Sequence, residues 1–381
     1  MPAKNYTDHF LFASSSELGK YKAAVSLHSH SEKSKEGLGF VPRYLPQIPI
    51  LSTFYRLEQN RYLTKNGIGF DFQRAYWLPP LSPKAVIKSE RERIETELQM
   101  HPLISISDHD HISIVDGYAP SVEWSIAIHG IPLHLGIYNL PLKFVNEISS
   151  RLLGQTGQID QSIIFEILSW LNEYKEILIV LNHPFADIGS RGTARVKKVV
   201  LHLLKKAQGL IHALEINGYR PWRENLDVAS LAEALGLGLM GGGDRHGCSP
   251  NAILSLSNST TLSEYVEEVR YHRQGSILIM PEYLGNLVVR KLQSAVDFFR
   301  LCPGYCAPSR HWTDRVYFKA GEEVAKPLSH YWTHIPLWVR SATWFLQLLT
   351  TRWIWSSIRA LLSTGQLGYS PLARHSTRID L

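Results

Sequence analysis

The feature that most constrains the fold is an alternation of short apolar runs, rich in β-branched residues, with longer stretches of helical periodicity. The apolar runs predict strands over residues 23–27, 103–107, 122–128, 131–138, 177–181, 211–216 and 238–241. The stretches between them predict helices over residues 84–99, 161–174, 195–206, 225–235 and 263–273. Such alternation is typical of an α/β fold with a mainly parallel sheet and outer helices. About seven strands favour a closed barrel over an open doubly wound sheet, although periodicity alone does not separate them.

Two segments break this alternation. Residues 37–83 are rich in proline, aromatic residues and arginine and are too long for an ordinary loop, so we interpret them as an insertion that covers or shapes a binding site. Residues 287–381 form a tryptophan-rich extension that we predict to be helical. The predicted main domain therefore spans residues 1–286 and carries the insertion.

The extension places tryptophan and arginine side by side. The residues concerned are Trp338, Arg340, Trp344, Arg352, Trp353, Trp355 and Arg359. The arginines interrupt every apolar window that a spanning helix would need, so no transmembrane span is predicted. Packing against the main domain or a second subunit is the favoured interpretation. A peripheral helix at a membrane surface or a docking helix for a partner protein is the alternative.

Composition narrows the class of protein. With 44% apolar and 19% charged residues, the chain is predicted to fold rather than to remain disordered. Its formal net charge of +6 leaves an anionic substrate, a nucleic acid and an acidic membrane surface open as partners. Three cysteines are too few for a disulfide framework and the N-terminus shows no signal peptide, so we expect a cytoplasmic location. The spacing of Cys302 and Cys306 is a weak zinc signal without a second pair.

Side chains that bind metals stand at the ends of successive predicted strands. His28 and His30 occupy alternate positions in HSH and therefore point the same way. The later segments are DHDH at 108–111, a hairpin with Glu123 and His134, NHPF with His183, a strand with Glu215, and GGGDRH with Asp244 and His246. Each segment alone is a weak signal, but in a parallel α/β fold these strand ends share one rim. Imidazole and carboxylate ligands suit zinc, manganese or iron, so the set predicts a metal centre.

This order of motifs, HxH, DHD, a Glu followed by a strand His, NHP, a Glu strand and a Gly-rich DxH, resembles the polymerase and histidinol phosphatase (PHP) family over residues 22–248. The resemblance implies a distorted (βα)7 TIM-like barrel with up to three metal ions at the strand ends. It implies a first ion at His28, His30, Glu123 and Asp244, a second at Glu123, His134 and His183, and a third at His109 and His246. The family completes the third site with an Asp or His before a glycine. Here Glu36 precedes Gly37, displaced by about one residue.

The resemblance also implies hydrolysis of phosphoesters. We expect a phosphatase or phosphodiesterase that acts on a small or terminal phosphoester, through a hydroxide that bridges two of its two or three divalent ions. Asp108 is predicted to orient a ligand or accept a proton, with a turn-capping role as the alternative. Arg245, Arg220 and Arg191 are predicted to bind the phosphate.

Two other functions fit the sequence. A nuclease that trims nucleic acid ends is favoured slightly by the excess of basic residues, and its affinity would fall steeply as salt rises. A scaffold that keeps its metal for stability but lacks catalysis belongs to a different class. Neither the insertion nor the extension is explained by the PHP resemblance.

Overall fold

The computed structural model of the chain describes residues 9–39, 41–47, 49–67, 69, 71–285, 287–299, 311–319, 324–332 and 334–349. Its strands are β1 (Phe10–Phe12), β2 (Ala23–Ser26), β3 (Glu36–Gly37), β4 (Tyr76–Trp77), β5 (His101–Ile104), β6 (Val122–Ile128), β7 (Ile131–Tyr138), β8 (Gly157–Gln158), β9 (Leu178–Asn182), β10 (Ala213–Asn217), β11 (Gly238–Gly242), β12 (Ile253–Ser257), β13 (Ser276–Ile279), β14 (Val316–Phe318) and β15 (Lys326–Pro327). Its helices are α1 (Val41–Tyr44), α2 (Pro49–Asn66), α3 (Pro83–Arg93), α4 (Val145–Leu153), α5 (Gln161–Asn172), α6 (Thr193–Lys206), α7 (Trp222–Leu235), α8 (Leu262–Arg270), α9 (Leu287–Phe299), α10 (Leu328–Tyr331) and α11 (Leu337–Leu349). The fold is therefore mixed α/β.

Two main sheets carry the strands that were predicted from the sequence. One sheet has five strands in the order β1-β13-β12-β2-β5, and the other has six in the order β11-β10-β9-β7-β6-β8. Strand β2 runs parallel to β5, and β9, β10 and β11 run parallel to one another. Strands β6 and β7 form an antiparallel hairpin, and β7 pairs antiparallel with β9. The parallel pairs place several strand ends on the same side of the molecule.

The two main sheets meet at these strand ends. Ser29, after β2, forms an isolated parallel bridge with Arg245, after β11. His109, after β5, forms a second bridge with Glu123 of β6. Continuous strand pairing does not close a barrel within the described part of the chain. The closed barrel therefore stays a prediction, and the bridges fix how the two rims face each other.

Alternate positions of the same strands face different apolar clusters, as the pleat requires. Leu214 and Ile216 of β10 belong to the larger cluster, which contains buried side chains of α4, α5, α6 and α7. Ala213 of β10 belongs to a smaller cluster with Val25 of β2 and Leu103 of β5. Because β2 and β5 belong to the other sheet, the smaller cluster holds the two main sheets together.

Local sequence fixes several helix ends. The Ser82 hydroxyl accepts a hydrogen bond from Ala85 N at 3.3 Å, and proline follows at the first helical position of α3. Thr261 and Glu264 form a capping box at the start of α8. The predicted helix 84–99 consists of α3, which ends at Arg93, and a π-helical turn over Ile94–Leu98.

The insertion and the extension fold together. They supply a third sheet in the order β15-β14-β4-β3, in which β4 of the insertion pairs with β14 of the extension. Both segments also supply one apolar cluster of buried side chains: Leu38, Ala75, Trp312, Val316, Phe318, Leu328 and Val339. We call this unit, made of β3, β4, β14, β15, α1, α2, α10 and α11, the outer subdomain. Segments far apart in the sequence therefore form one structural unit.

The extension is helical in part, with α9, α10 and α11 inside the described ranges. Within those ranges, no helix has both the length and the apolar character that crossing a bilayer requires. The following cysteine, arginine and tryptophan residues of the extension lie outside the described ranges: Cys302, Cys306, Arg352, Trp353, Trp355 and Arg359.

Candidate metal centre

Nine histidine and acidic side chains meet where the strands of the main sheets end. They are His28 and His30 after β2, Glu36 in β3, His109 after β5, Glu123 in β6, His134 in β7, His183 after β9, and Asp244 and His246 after β11. Their ligand atoms form four overlapping groups, and the atoms of each group lie within 4.8 Å of one another. The groups are His30–Glu36–His109–His246, His28–His183–Asp244, His28–His30–Glu123 and His109–Glu123–His134. The nine predicted ligands are thus adjacent in space.

Glu123 lies at the middle of the centre and is fully buried. Its two carboxylate oxygens face different imidazoles. Oε1 lies 3.2 Å from His28 Nε2, 3.4 Å from His134 Nδ1 and 3.3 Å from His183 Nε2. Oε2 lies 3.4 Å from His30 Nε2 and 3.2 Å from His109 Nδ1. Each carboxylate oxygen therefore has imidazoles of its own beside it, so the carboxylate could bind more than one cation.

Two further observations indicate that these residues suit divalent cations. Oε2 of Glu123 is buried and accepts no hydrogen bond from the residues that the structure describes. An unpaired buried acceptor costs about 1–3 kcal/mol or more, and a cation would satisfy it. Imidazole nitrogens also face one another closely, at 3.1 Å between His28 Nε2 and His30 Nε2 and 3.3 Å between His134 Nδ1 and His183 Nε2. Such convergence suits ligands that share an ion, and N and O donors suit zinc, manganese or iron.

Glu36 reaches the centre despite its displacement by one residue in the motif. Its Oε2 lies 3.1 Å from His246 Nε2 and 3.5 Å from His109 Nε2. Its Oε1 accepts a hydrogen bond of 2.5 Å from the Ser34 hydroxyl. His30 joins this group as well, whereas the sequence placed His30 with the first ion only. Because Glu36 belongs to β3, the outer subdomain contributes directly to the centre.

The electrostatics of the centre keep its acids ionised. Burial opposes ionisation, but the surrounding imidazoles outweigh it and hold the pKa of Glu123 and Asp244 well below the usual range. Burial lowers the pKa of His109 to about 4, in spite of the neighbouring carboxylates. Burial also disfavours a charged His246, but Glu36 beside it raises the pKa of His246 to about 9. Cation binding at His246 would therefore release a proton, since a ligand imidazole must be neutral.

Glu215 orients two parts of the centre without belonging to any of the four groups. Its Oε1 lies 2.5 Å from His28 Nδ1, which leaves Nε2 of His28 facing Glu123. Its Oε2 accepts a hydrogen bond of 2.7 Å from the backbone N–H of His183. The carboxylate partners of ligand histidines fix ring orientation and raise basicity in this way. The sequence signal for Glu215 is an acid in the middle of a predicted apolar strand.

Asn182 and Ser34 also hold ligands and were missed in the sequence. Asn182 Nδ2 donates to Glu123 Oε1 at 2.9 Å. Ser34 Oγ lies 3.2 Å from His30 Nδ1 and accepts from His109 N at 3.0 Å. A lone serine or asparagine beside a motif carries no distinctive pattern, so the structure was needed to find them.

The glycines of GGGDRH make room for these buried groups. A Cβ at Gly242 would lie 1.7 Å from Glu215 Oε1, and a Cβ at Gly243 would lie 1.7 Å from Asn251 Oδ1. Both distances are far below those that real Cβ atoms adopt, so any larger residue would force the side chain of Glu215 or Asn251 to move. The glycines therefore allow β11 to approach its neighbours closely enough to deliver Asp244.

Asp108 lies outside the four ligand groups. Its Oδ1 accepts from Ser31 N at 2.5 Å, and its Oδ2 accepts from the hydroxyls of Ser31 at 2.8 Å and Ser113 at 2.6 Å. Burial raises its pKa, although these hydrogen bonds act in the opposite direction. The geometry gives Asp108 the role of fixing the loop after His30, and it offers no support for proton transfer to a substrate.

The three predicted phosphate-binding arginines are placed differently. Arg245 is buried, and its guanidinium donates to Glu90 Oε1 at 3.0 Å and to the carbonyls of Gly247 and Cys248. Its guanidinium is engaged by these groups and lies outside the four ligand groups. Arg220 donates to both carboxylate oxygens of Glu224, at 2.6 and 2.8 Å. Arg191 is exposed in the loop after β9. We therefore assign Arg245 a structural role and do not propose that it binds phosphate.

No protein-family model matches the chain, and no curated protein matches it. Among solved structures, it is similar to a candidate metal-dependent phosphoesterase from Bifidobacterium adolescentis, with a TM-score of 0.30 and 14% identity. That match covers 51% of this chain and 92% of the other. A similarity of this degree shows neither the fold nor the function of this chain.

Proposed function

We propose that the chain is a metal-dependent phosphoesterase of the PHP type, which hydrolyses a phosphomonoester or phosphodiester with two or three bound zinc, manganese or iron ions. The observation that carries the proposal is the buried carboxylate of Glu123, whose two oxygens face separate groups of imidazoles. A bridging carboxylate among nitrogen ligands is the arrangement that two neighbouring catalytic cations need.

Divalent ions bound at the centre would lower the pKa of a water molecule toward neutrality and draw charge from the phosphoryl oxygens. His28, His30, Glu123 and Asp244 would hold one of them, and Glu123, His134 and His183 a second. Glu215 would keep His28 in its ligand orientation. Asp108 would fix the loop that presents His30.

The reaction adds water across one ester bond. The water oxygen bonds to phosphorus while the bond from phosphorus to the ester oxygen breaks, and its electron pair leaves with the alcohol oxygen. One proton of the water passes to the alcohol, and the other stays with the phosphate product or solvent. Asp244 and His246 are the most exposed of the nine side chains, at 17% and 22%, so the phosphate would approach from their side.

The test is reconstitution of the purified protein with zinc, manganese or iron, followed by metal analysis and assays with phosphomonoesters, phosphodiesters, nucleotides and oligonucleotides. Asp244→Ala removes a ligand and should lower activity by at least about 100-fold, beyond the effect typical of groups that only orient ligands. His101→Gln, at an exposed position on β5, is the control and should leave activity unchanged.

Three outcomes separate the candidate functions. A protein that retains no transition metal, or an Asp244→Ala variant as active as the wild type, would contradict the proposal. Bound metal without any hydrolysis would favour the scaffold. Preference for oligonucleotides with affinity that falls steeply with salt would favour the nuclease.

A further inference from the structure

A large apolar cavity lies between the outer subdomain and the metal centre. Its volume is about 580 Å³, within the range of roughly 300–1,000 Å³ that is typical of small-molecule sites. Aromatic side chains from both the insertion and the extension form much of its wall, including Tyr55, Phe72, Trp77, Phe298, Phe318 and Trp338. Hydrolysis of a small phosphoester alone would leave this cavity without a role.

The cavity reaches the metal centre through His246. This residue is both a wall residue of the cavity and a member of a candidate ligand group. Its ring centroid lies 6.1 Å from that of Trp77, which is also a wall residue. Trp77 in turn pairs with Glu36 across β4 and β3, so one strand pair carries a candidate ligand and a wall of the cavity. A phosphoester bound at the centre can therefore extend its alcohol group directly into the cavity.

The chemistry of the wall selects the kind of alcohol. Trp77 and Phe298 meet edge to face at 4.9 Å between ring centroids, and Phe298 and Phe299 meet at 4.8 Å. Among the described wall residues, most are aliphatic or aromatic, the charged ones are Glu58, His246 and Lys291, and the uncharged polar ones are Tyr55, Gln59, Tyr219, Ser294 and Thr343. A sugar or nucleoside would bring several hydroxyl and ring nitrogen groups against the aliphatic and aromatic part of this wall, where burying them without partners is unfavourable. A hydrocarbon group needs no such partners and gains from burial.

We propose that the cavity holds the hydrocarbon part of the substrate, so that the enzyme acts on phosphoesters of long-chain or bulky apolar alcohols. The inference rests on the proposed hydrolysis and names its substrate class. The phosphate lies at the candidate ions on the side of His246, and the hydrocarbon lies against the aromatic walls of the outer subdomain.

The test is a series of n-alkyl phosphates from ethyl to octyl, assayed below their micelle-forming concentrations with the metal-reconstituted protein. Each added methylene should raise kcat/KM about fourfold until the cavity is filled, from the free energy of burying one methylene group. Octyl phosphate should then exceed ethyl phosphate by about 1,000-fold or more when all of its additional methylenes are buried. Equal kcat/KM along the series, or faster hydrolysis of a nucleotide or sugar phosphate than of octyl phosphate, would overturn the inference.

A pair of variants on α11 tests the location. Ala342 is a wall residue of the cavity, and Ala342→Phe should reduce the ratio of octyl to ethyl kcat/KM by about tenfold or more. The neighbouring Ser341 is exposed and is not one of the wall residues, so Ser341→Phe should keep the full ratio. Thermal unfolding of both variants shows whether a loss of ratio comes from misfolding. An unchanged ratio in a folded Ala342→Phe protein would place the hydrocarbon elsewhere.

Failure of this inference is distinguishable from failure of the proposed function. Metal-dependent hydrolysis of ethyl phosphate without any gain along the series would leave the phosphoesterase standing and exclude a hydrocarbon site. If no ester is hydrolysed, calorimetric titration with ethyl and octyl phosphate still shows whether the cavity binds the hydrocarbon group. Tighter binding of octyl phosphate that Ala342→Phe removes would support the cavity, and equal binding of the two esters would exclude it.

Discussion

Two candidate ligands hold a backbone conformation that is unusual for residues other than glycine. His183 has a φ of 27° and Asp244 a φ of 53°, both in the left-handed region. Each such residue costs about 1–3 kcal/mol, so the surrounding structure must hold it in place. The Glu215 carboxylate accepts from His183 N at 2.7 Å, and Asp244 N donates to His28 O at 3.0 Å. Hydrogen bonds between strand ends thus maintain the ligand geometry.

Glu215→Gln should weaken metal binding by about 10- to 100-fold. The amide has no negative charge to strengthen the donor at His28 Nδ1, and its NH2 group cannot accept the hydrogen bond from His183 N. Metal affinity is measured by competition with a chelating fluorophore. Glu233→Gln, at an exposed position on α7, provides the matched control and should bind metal as the wild type does. Unchanged affinity in Glu215→Gln would mean that Glu215 does not orient the centre.

His212 joins three elements as a neutral imidazole. Its Nδ1 accepts from the N–H of Ile179 on β9 at 2.9 Å, so the ring proton lies on Nε2. Nε2 is 2.8 Å from Asn172 Oδ1 at the end of α5, and Arg270 of α8 donates to the same oxygen. Burial, and then the charge of Arg270, lower the pKa of His212 to about 3. Protonation would place an N–H against the N–H of Ile179, so the neutral ring is required.

This arrangement predicts a loss of stability in acid. The folded pKa of His212 lies below its unfolded value, so between about pH 6.5 and 3 the unfolded state binds more protons and stability falls as pH falls. From pH 7 to pH 5 the loss is about 2 kcal/mol, at 1.4 kcal/mol per pH unit below the unfolded pKa. Urea unfolding at the two pH values measures it.

His212→Gln removes the titrating group and should lose about 2 kcal/mol less than the wild type between pH 7 and pH 5. The other histidines are common to both proteins, so their difference isolates His212. The exposed His202 on α6 offers the control, since His202→Gln should follow the wild-type curve. If His212→Gln loses as much stability as the wild type, the imidazole is not the acid-sensitive group.

The strands of the main sheets could be predicted because their signals are local. The hairpin strands 122–128 and 131–138 agree with β6 and β7 residue for residue. His129 and Gly130 between them both have positive φ, of 51° and 72°, which is the tight turn that two such strands need. The candidate ligand residues could be predicted for a related reason, because the ends of parallel strands lie together on one rim. Strands β12 and β13, which carry none of the candidate metal ligands, were missed.

Other features depend on contacts between distant parts of the chain. Tyr76 of the insertion pairs with Tyr317 of the extension, and their rings stack at 5.0 Å between centroids. No pattern within either segment indicates that partner. The role predicted for Arg245 was wrong for the same kind of reason: its place in the sequence between two ligands suggested a phosphate contact, whereas its guanidinium donates to Glu90, which is distant in the sequence.

The outer subdomain links the metal centre to the most distant part of the described chain. Glu36, in β3, is a candidate ligand, and β3 is held by β4, which in turn pairs with β14 of the extension. The order of strands makes the ligand group His30–Glu36–His109–His246 dependent on the folding of the extension. The groups around Glu123 and His183 come from the main sheets and have no such dependence.

Val316→Asp should therefore open the outer subdomain and weaken only the ligand group that contains Glu36. Val316 is 5% exposed in β14, and an unpaired buried charge there destabilises by several kcal/mol. We expect faster tryptic cleavage at Arg61 in α2, and loss of about one metal ion per chain from a protein that holds three. Val324→Asp, at a position that is 83% exposed, introduces the same charge and should change neither. Loss of every ion in Val316→Asp would show that the main sheets cannot hold metal without the outer subdomain, and retention of all of them would exclude Glu36 as a ligand.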